Sequence, residues 1–488
     1  MESDDPSEAD LVDVDLPGAT FERRKRAVGL IAGPVLAGLV AWLDRDGVAP
    51  GLTAVMVLAV TWWLIEALPA AAVALVVAAL AVMLDLAPPK VAFGAFGSPL
   101  LFMFVGAFFV AEAMRVHGLG ERAAAAAGRL ARGPRSLVIA LSAAAFAMSA
   151  FMSNAAATAI LLPIALAASH GAGQRYQAAL VLAIAWAASM GGLATPVGTP
   201  PNLIGIGQLR AAGHDLSFGT WAAVGLPIGL AMLGAMWLVL FAVFRVGEAQ
   251  VALRPTAATT WRTGEWSIAF ALGLAVLGWL APTVLDLAAP GSAAARWAKG
   301  HLTEEVVAIL AGVSLFVLPG GGVGATRRPA LTWREATQID WGVILLFGGG
   351  ILLGDLARTT GLTDAWGRQL VAWTGASSTW VVVALCIGVS IVLSEATSNT
   401  ATATLMAPLA ISLADATGTP PIAAVLGATI GASFGFMMPI STAPNALAYG
   451  TGRVRIGQML RAGILFDLLG FLVVLLGLRL LLPLLGLA

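Results

Sequence analysis

Ser149-Ala150-Phe151-Met152-Ser153-Asn154-Ala155-Ala156-Ala157-Thr158 and, 245 residues later, Ser394-Glu395-Ala396-Thr397-Ser398-Asn399-Thr400-Ala401-Thr402 are two copies of one polar motif in apolar surroundings. Pro163/Pro408 and Ala165/Ala410 extend the match. Hydroxyls and carboxamides in the middle of a hydrocarbon-length segment are costly unless they bind something. Repeating them at equivalent places points to a site shared between internal repeats, as in many secondary transporters.

The duplication continues on both sides. Phe104/Phe347, Gly106/Gly349, Arg115/Arg358, Gly118/Gly361 and Leu119/Leu362 coincide at an offset of 243, with Glu112 facing Asp355. Downstream, Gly192/Gly435, Pro196/Pro439, Pro201/Pro444, Asn202/Asn445 and Gly207/Gly450 follow at the same offset. Chance similarity between apolar helices does not explain why glycines, prolines and asparagines agree in three successive blocks.

The chain is 59% hydrophobic and 11% charged, far from the roughly 25% charged residues of soluble domains, so it belongs in a bilayer. The expected fold is all-α and polytopic, with about eleven spans, near 27–43, 52–68, 70–87, 98–117, 177–209, 219–244, 266–286, 303–319, 340–358, 421–450 and 461–487. The stretches 136–169 and 377–414 hold the motifs, and each is too short for two full crossings, so both read as re-entrant hairpins. With the N-terminus in the cytoplasm, 19 of the 27 Lys and Arg residues fall on cytoplasmic segments, which places the C-terminus outside. The expected location is the plasma (inner) membrane. In this topology 98–117 and 340–358 run in opposite directions, so the repeats are inverted and offer two nearly equivalent conformations.

Leu119–Arg132 and Thr363–Thr374 read as amphipathic interfacial helices, with ordinary loops as the alternative. The expected organisation is a cytoplasmic tail over 1–26, disordered and acidic through residue 20, and a first scaffold part over 27–133. A first transport part over 134–247, a cytoplasmic linker over 248–263, a second scaffold part over 264–375 and a second transport part over 376–488 follow. The only cysteine, Cys386, excludes an internal disulfide and a cysteine-based metal cluster, and zero net charge gives no sign of nucleic acid.

After each hairpin comes a span rich in glycine and proline, Gly191–Asn202 and Pro439–Asn445. Proline removes a backbone donor and cannot continue a helix from its upstream side, so both spans should unwind at membrane depth. Free carbonyls and hydroxyls on one side of a break suit a small hard cation, and a new helix N-terminus on the other suits an anion. Between Ser136 and Arg210 the only interior basic residue is Arg175, and Gly375–Gly452 holds none. An anion there must be balanced by amides, hydroxyls, helix termini and co-bound cations. Titratable relays are scarce, which favours Na⁺ over H⁺. Glu395 stands one turn before Ser398, where it either braces the hairpin or influences a cation site.

These residues resemble the divalent anion/sodium symporters (the DASS family), carriers of dicarboxylates, citrate or sulfate. Ser153-Asn154 and Ser398-Asn399-Thr400 are similar to that family's paired Ser-Asn-Thr motifs, Thr61-Trp62-Trp63-Leu64-Ile65-Glu66-Ala67-Leu68-Pro69 to its Trp-Trp-x-x-Glu-Ala-x-Pro stretch, and Thr199-Pro200-Pro201-Asn202 to its Pro-Pro-Asn segment. The resemblance implies a homodimeric elevator transporter and no enzyme. It implies substrate contacts at Ser153, Asn154, Ser398, Asn399 and Thr400, with Thr199 and Pro200 beside them. Coupling Na⁺ would sit at Ser149, Ser153, Asn154 and Gly198, and again at Ser394, Thr397, Asn399 and Ser441. The expected activity is Na⁺-coupled symport of a C4-dicarboxylate such as succinate or malate. An anion exchanger or a proton-coupled permease is the competing carrier reading, with citrate and sulfate as further substrates. Ala155 replaces the threonine of the first motif, and Ala443 the first proline of the second Pro-Pro-Asn segment.

Overall fold

The computed structural model describes residues 19–248, 260–322, 328–375 and 378–487. The acidic tail through residue 18 and residues 249–259 of the expected linker lie outside the described residues. Among the described residues the regular structure is helical apart from one small antiparallel ribbon, Pro319–Gly321 with Arg328–Pro329.

Among the described residues, eight helices are long and apolar enough to cross a membrane, against about eleven expected spans. The difference lies in length. Pro50–Ile65, Ala70–Met83, Glu304–Ser314 and Pro421–Ala432 have 16, 14, 11 and 12 residues. At 1.5 Å per residue they are about 17–24 Å long, short of a hydrocarbon core of about 30 Å. Each overlaps an expected span that continues past the helix end. Thr379–Ala396, read as a hairpin arm, is itself long enough to be counted among the eight.

Both motif segments fold as helix–turn–helix hairpins: Pro134–Ser149 with Asn154–Ala168, and Thr379–Ala396 with Asn399–Thr417. Ser153 and Ser398 take extended backbone angles, and each hydroxyl accepts from the amide three residues on, Ala156 at 3.1 Å and Ala401 at 3.2 Å. That N-cap geometry fixes where the second arm begins. The two glycine- and proline-rich spans are broken: Gln174–Gly191 restarts at Pro200–Ala211, and Pro421–Ala432 restarts at Ala443–Gly450. The stretches read as amphipathic are helices, Leu119–Leu130 and Leu362–Thr374, which removes the loop alternative.

Packing between the halves is reciprocal. Helix Pro99–Val116 lies on Glu304–Ser314, and helix Trp341–Thr359 lies on Ala70–Met83. The duplicated glycines make both contacts: a Cβ on Gly106 would strike the Ala308 backbone, and one on Gly349 would lie 2.5 Å from the Ala74 Cβ. Small residues at such crossings let helix backbones approach closely in lipid. Phe104 and Phe347, equivalent in sequence, touch edge-on with ring centroids 4.4 Å apart. Helix Gln174–Gly191 is buried from Tyr176 to its end, with Trp186 stacked on Phe466 at 5.3 Å. By contrast, Thr263–Ala288 exposes Trp266, Phe270, Leu274 and Leu277, a surface suited to lipid.

Candidate substrate and cation site

The two breaks are closed by the same device. Asn202 Nδ2 donates to the carbonyls of Gly192 at 2.7 Å and Thr195 at 2.8 Å. Asn445 Nδ2 donates to the equivalent carbonyls, Gly435 at 2.5 Å and Met438 at 3.0 Å. Both asparagines are fully buried, so each carboxamide satisfies carbonyls that the broken helix would otherwise orphan. The hairpin tips are equally matched. Ser149 Oγ donates to Asn154 Oδ1 at 2.6 Å, and Ser394 Oγ lies 2.8 Å from Asn399 Oδ1. Ser394 Oγ also lies 2.8 Å from the Ala432 carbonyl and 2.6 Å from that of Phe434, within the second break.

One cavity of about 440 Å³ joins these elements. Ser153, Asn154, Gly198, Thr199, Pro200, Ser398, Asn399, Thr400 and Ser441 line it. Ser149, Ser394 and Thr397 do not; the first two stand behind the asparagines, and Thr397 turns its hydroxyl back to the Leu393 carbonyl and Thr402, both at 2.9 Å. Ser153, Ser398, Thr199 and Thr442 are the N-caps of four different helices, and all four face this cavity. Four helix N-termini aimed at one volume favour an anion beside them. The carboxamides of Asn154 and Asn399 add donors, while each Oδ1 remains an acceptor toward a cation.

The opposite wall was not foreseen. Glu112 and Arg115, from helix Pro99–Val116, and Gln338 and Asp340 complete the cavity. Arg115 Nε donates to Glu112 Oε2 at 2.9 Å. The absence of basic residues along the motif segments therefore does not hold in space, because a guanidinium reaches the cavity from upstream. The duplicated pairs Arg115/Arg358 and Glu112/Asp355 were the available signal. Thr442 and Pro444 also line the site and were legible from their duplication with Thr199 and Pro201.

A second cavity of about 390 Å³, lined by Arg26, Trp63, Glu66, Pro69, Leu346, Ala401 and other residues, also reaches Ser398. It brings the Trp-Trp-x-x-Glu-Ala-x-Pro stretch against the second hairpin tip.

Comparison with known proteins bears on the family and the fold. The profile of the citrate transporter family (CitMHS) matches residues 60–408 and 297–487. The sodium-dependent dicarboxylate transporter SdcS of Staphylococcus aureus is 31% identical over 477 residues, covering 92% of this chain and 90% of SdcS, with the same figures in strains MSSA476 and NCTC 8325. The crystal structure of the Alcanivorax borkumensis YdaH transporter, described as having an unusual topology, superposes with a TM-score of 0.57 at 17% identity. That match covers 81% of this chain and 87% of YdaH and concerns the fold alone.

Proposed function

The chain belongs to the divalent anion/sodium symporter family, and from that membership we propose that it is a Na⁺-coupled symporter of a C4-dicarboxylate such as succinate or malate. It is a multi-pass membrane transporter. The observation that carries the proposal is the convergence of four helix N-termini on one cavity. The anion is held by Ser153, Asn154, Ser398, Asn399 and Thr400, with Thr199 and Pro200 at its rim. One Na⁺ sits behind each hairpin tip, at Ser149, Ser153, Asn154 and Gly198, and at Ser394, Thr397, Asn399 and Ser441.

Energetics decide the coupling. Carrying one charge through 100 mV is worth about 2.3 kcal/mol, so a lone dianion entering a negative-inside cell is opposed by about twice that. Two Na⁺ cancel the charge and a third makes the potential helpful. Uptake of succinate into proteoliposomes is expected to rise sigmoidally with external Na⁺, and to accelerate with a negative-inside potential if the stoichiometry reaches three. Uptake indifferent to Na⁺ but driven by internal dicarboxylate would hand the case to the exchanger reading.

The transport motion is an elevator within a homodimer in the plasma membrane. The body carrying both hairpins and both broken helices slides against the scaffold, with the N-terminus cytoplasmic and the C-terminus outside. The reciprocal helix packing supports the inverted repeat behind this motion. With Cys386 first replaced, cysteine pairs between 134–169 and helix Pro99–Val116 should cross-link in one state each and stop transport. Cross-links at every such pair with turnover intact would refute the sliding.

A further inference from the structure

Asp467 lies midway along the apolar helix Ile456–Leu484 and is 5% exposed. No hydrogen-bond donor reaches either of its carboxylate oxygens among the described residues, and its side chain lies within hydrogen-bond reach of the Glu395 carboxyl. Its surroundings are fixed by two glycines on the same helical face. Gly463, one turn earlier, presses on the Phe436 carbonyl and the Met437 amide, and Gly470, one turn later, on the Phe434 ring. Asp467 therefore faces the non-helical chain of the second break. There the Met437 amide donates to Glu395 Oε1 at 2.9 Å, and Glu395 is the ionisable group beside Asp467.

Among the described residues, the helices packed most extensively on Ile456–Leu484 bring no compensating charge. Helices Phe218–Phe244 and Pro421–Ala432, which pack on Ile456–Leu484, hold no ionisable side chain, and Thr379–Ala396 brings only Cys386 and Glu395. On the helix itself, Arg461 is exposed and Arg479 lies over the Trp380 ring at 5.9 Å. Two carboxylates buried side by side with no donor between them are costly unless a proton or a metal cation joins them. The donors are all oxygens: the Asp467 and Glu395 carboxylates and the Phe436 carbonyl that points at Gly463. Such a set suits a hard cation.

We propose that Asp467, with Glu395, binds a third Na⁺, separate from the two at the hairpin tips. The proposal rests on the Na⁺-symport reading and supplies the charge that makes uptake electrogenic. This ion sits behind the second break, away from the anion, so it tightens the fold of the break instead of touching substrate.

The test is the Na⁺:succinate flux ratio of the full chain in proteoliposomes, read from the reversal potential. About three is expected for the wild type and for Asp467→Glu, and about two for Asp467→Asn, whose uptake then ignores the membrane potential. A second readout needs no transport: the Na⁺ midpoint for thermal stabilisation of the purified protein should rise about tenfold in Asp467→Asn, a loss of about 1.4 kcal/mol. Equal ratios in wild type and Asp467→Asn overturn the proposal. So does a wild-type ratio of two, which settles the matter even if the variant does not fold. So does a current that follows the proton gradient and vanishes in Asp467→Asn, since a proton then neutralises the carboxylate. A Na⁺-indifferent wild type overturns the symport reading and this site together, whereas the other outcomes leave symport standing.

Discussion

The two hairpins present the same face to the cavity and are fastened to the protein differently. In the first, the contact with the broken helix is between neutral groups: the Thr195 hydroxyl donates to the Ala150 carbonyl. In the second, Glu395 occupies the place of Ala150, and its carboxylate accepts from the Met437 amide at 2.9 Å, the Met438 amide at 3.2 Å and the Ser441 hydroxyl at 2.9 Å. Matched ligands with unmatched fastenings mean that the binding face and the mechanics behind it can vary independently. The second hairpin is clamped to its broken helix by a buried charge, and the first is held by neutral hydrogen bonds and packing.

The largest expected effect tests the matched face. Asn154→Ala and Asn399→Ala should each lower uptake at least about 100-fold, because each carboxamide serves both the anion and a cation. Near-normal transport in one of the two would mean the faces are not equivalent. A middle effect tests the unmatched fastening. Glu395→Gln leaves the carboxamide accepting with one oxygen where the carboxylate used two, and hydrogen bonds to a charged group are worth about 1.5–3 kcal/mol each. Thermal stability should fall by about that amount, with a weaker Na⁺ response at the second hairpin, while Ala150→Gly leaves Na⁺ affinity unchanged. Equal losses in the two variants would erase the asymmetry. The smallest effect concerns Ala155, whose equivalent is Thr400. Ala155→Thr restores a hydroxyl to the first tip and should shift the ratio of succinate to citrate affinity by about fivefold, a hydrogen bond of about 1 kcal/mol, measured by competition.

The motifs were legible because serine, asparagine, proline and glycine carry local instructions that survive duplication. The positions of the caps at Ser153 and Ser398 and the closure by Asn202 and Asn445 follow from residues visible at fixed offsets. Helix ends were not legible from apolar runs. The run 303–319 stays apolar, yet the helix stops at Ser314 and the chain turns into a ribbon at Pro319. Short helix Ala293–His301 carries no span-length signal and was passed over. The Glu112–Arg115 wall and Asp467 were hidden for another reason: their meaning depends on neighbours from other helices, and a single acid in an apolar helix says nothing about which break it faces.

The interlocking of the halves also bears on how the protein is made. Helix Pro99–Val116 leaves the ribosome nearly 190 residues before its packing partner Glu304–Ser314. At about 5–20 residues per second, that is a wait of roughly 10–40 s. During that interval the groove around Gly106 faces lipid or the insertion machinery, and a long apolar helix with an unfilled seam is open to pairing with the wrong neighbour. Biogenesis of this protein therefore depends on keeping an early helix unpaired until its late-synthesised counterpart arrives.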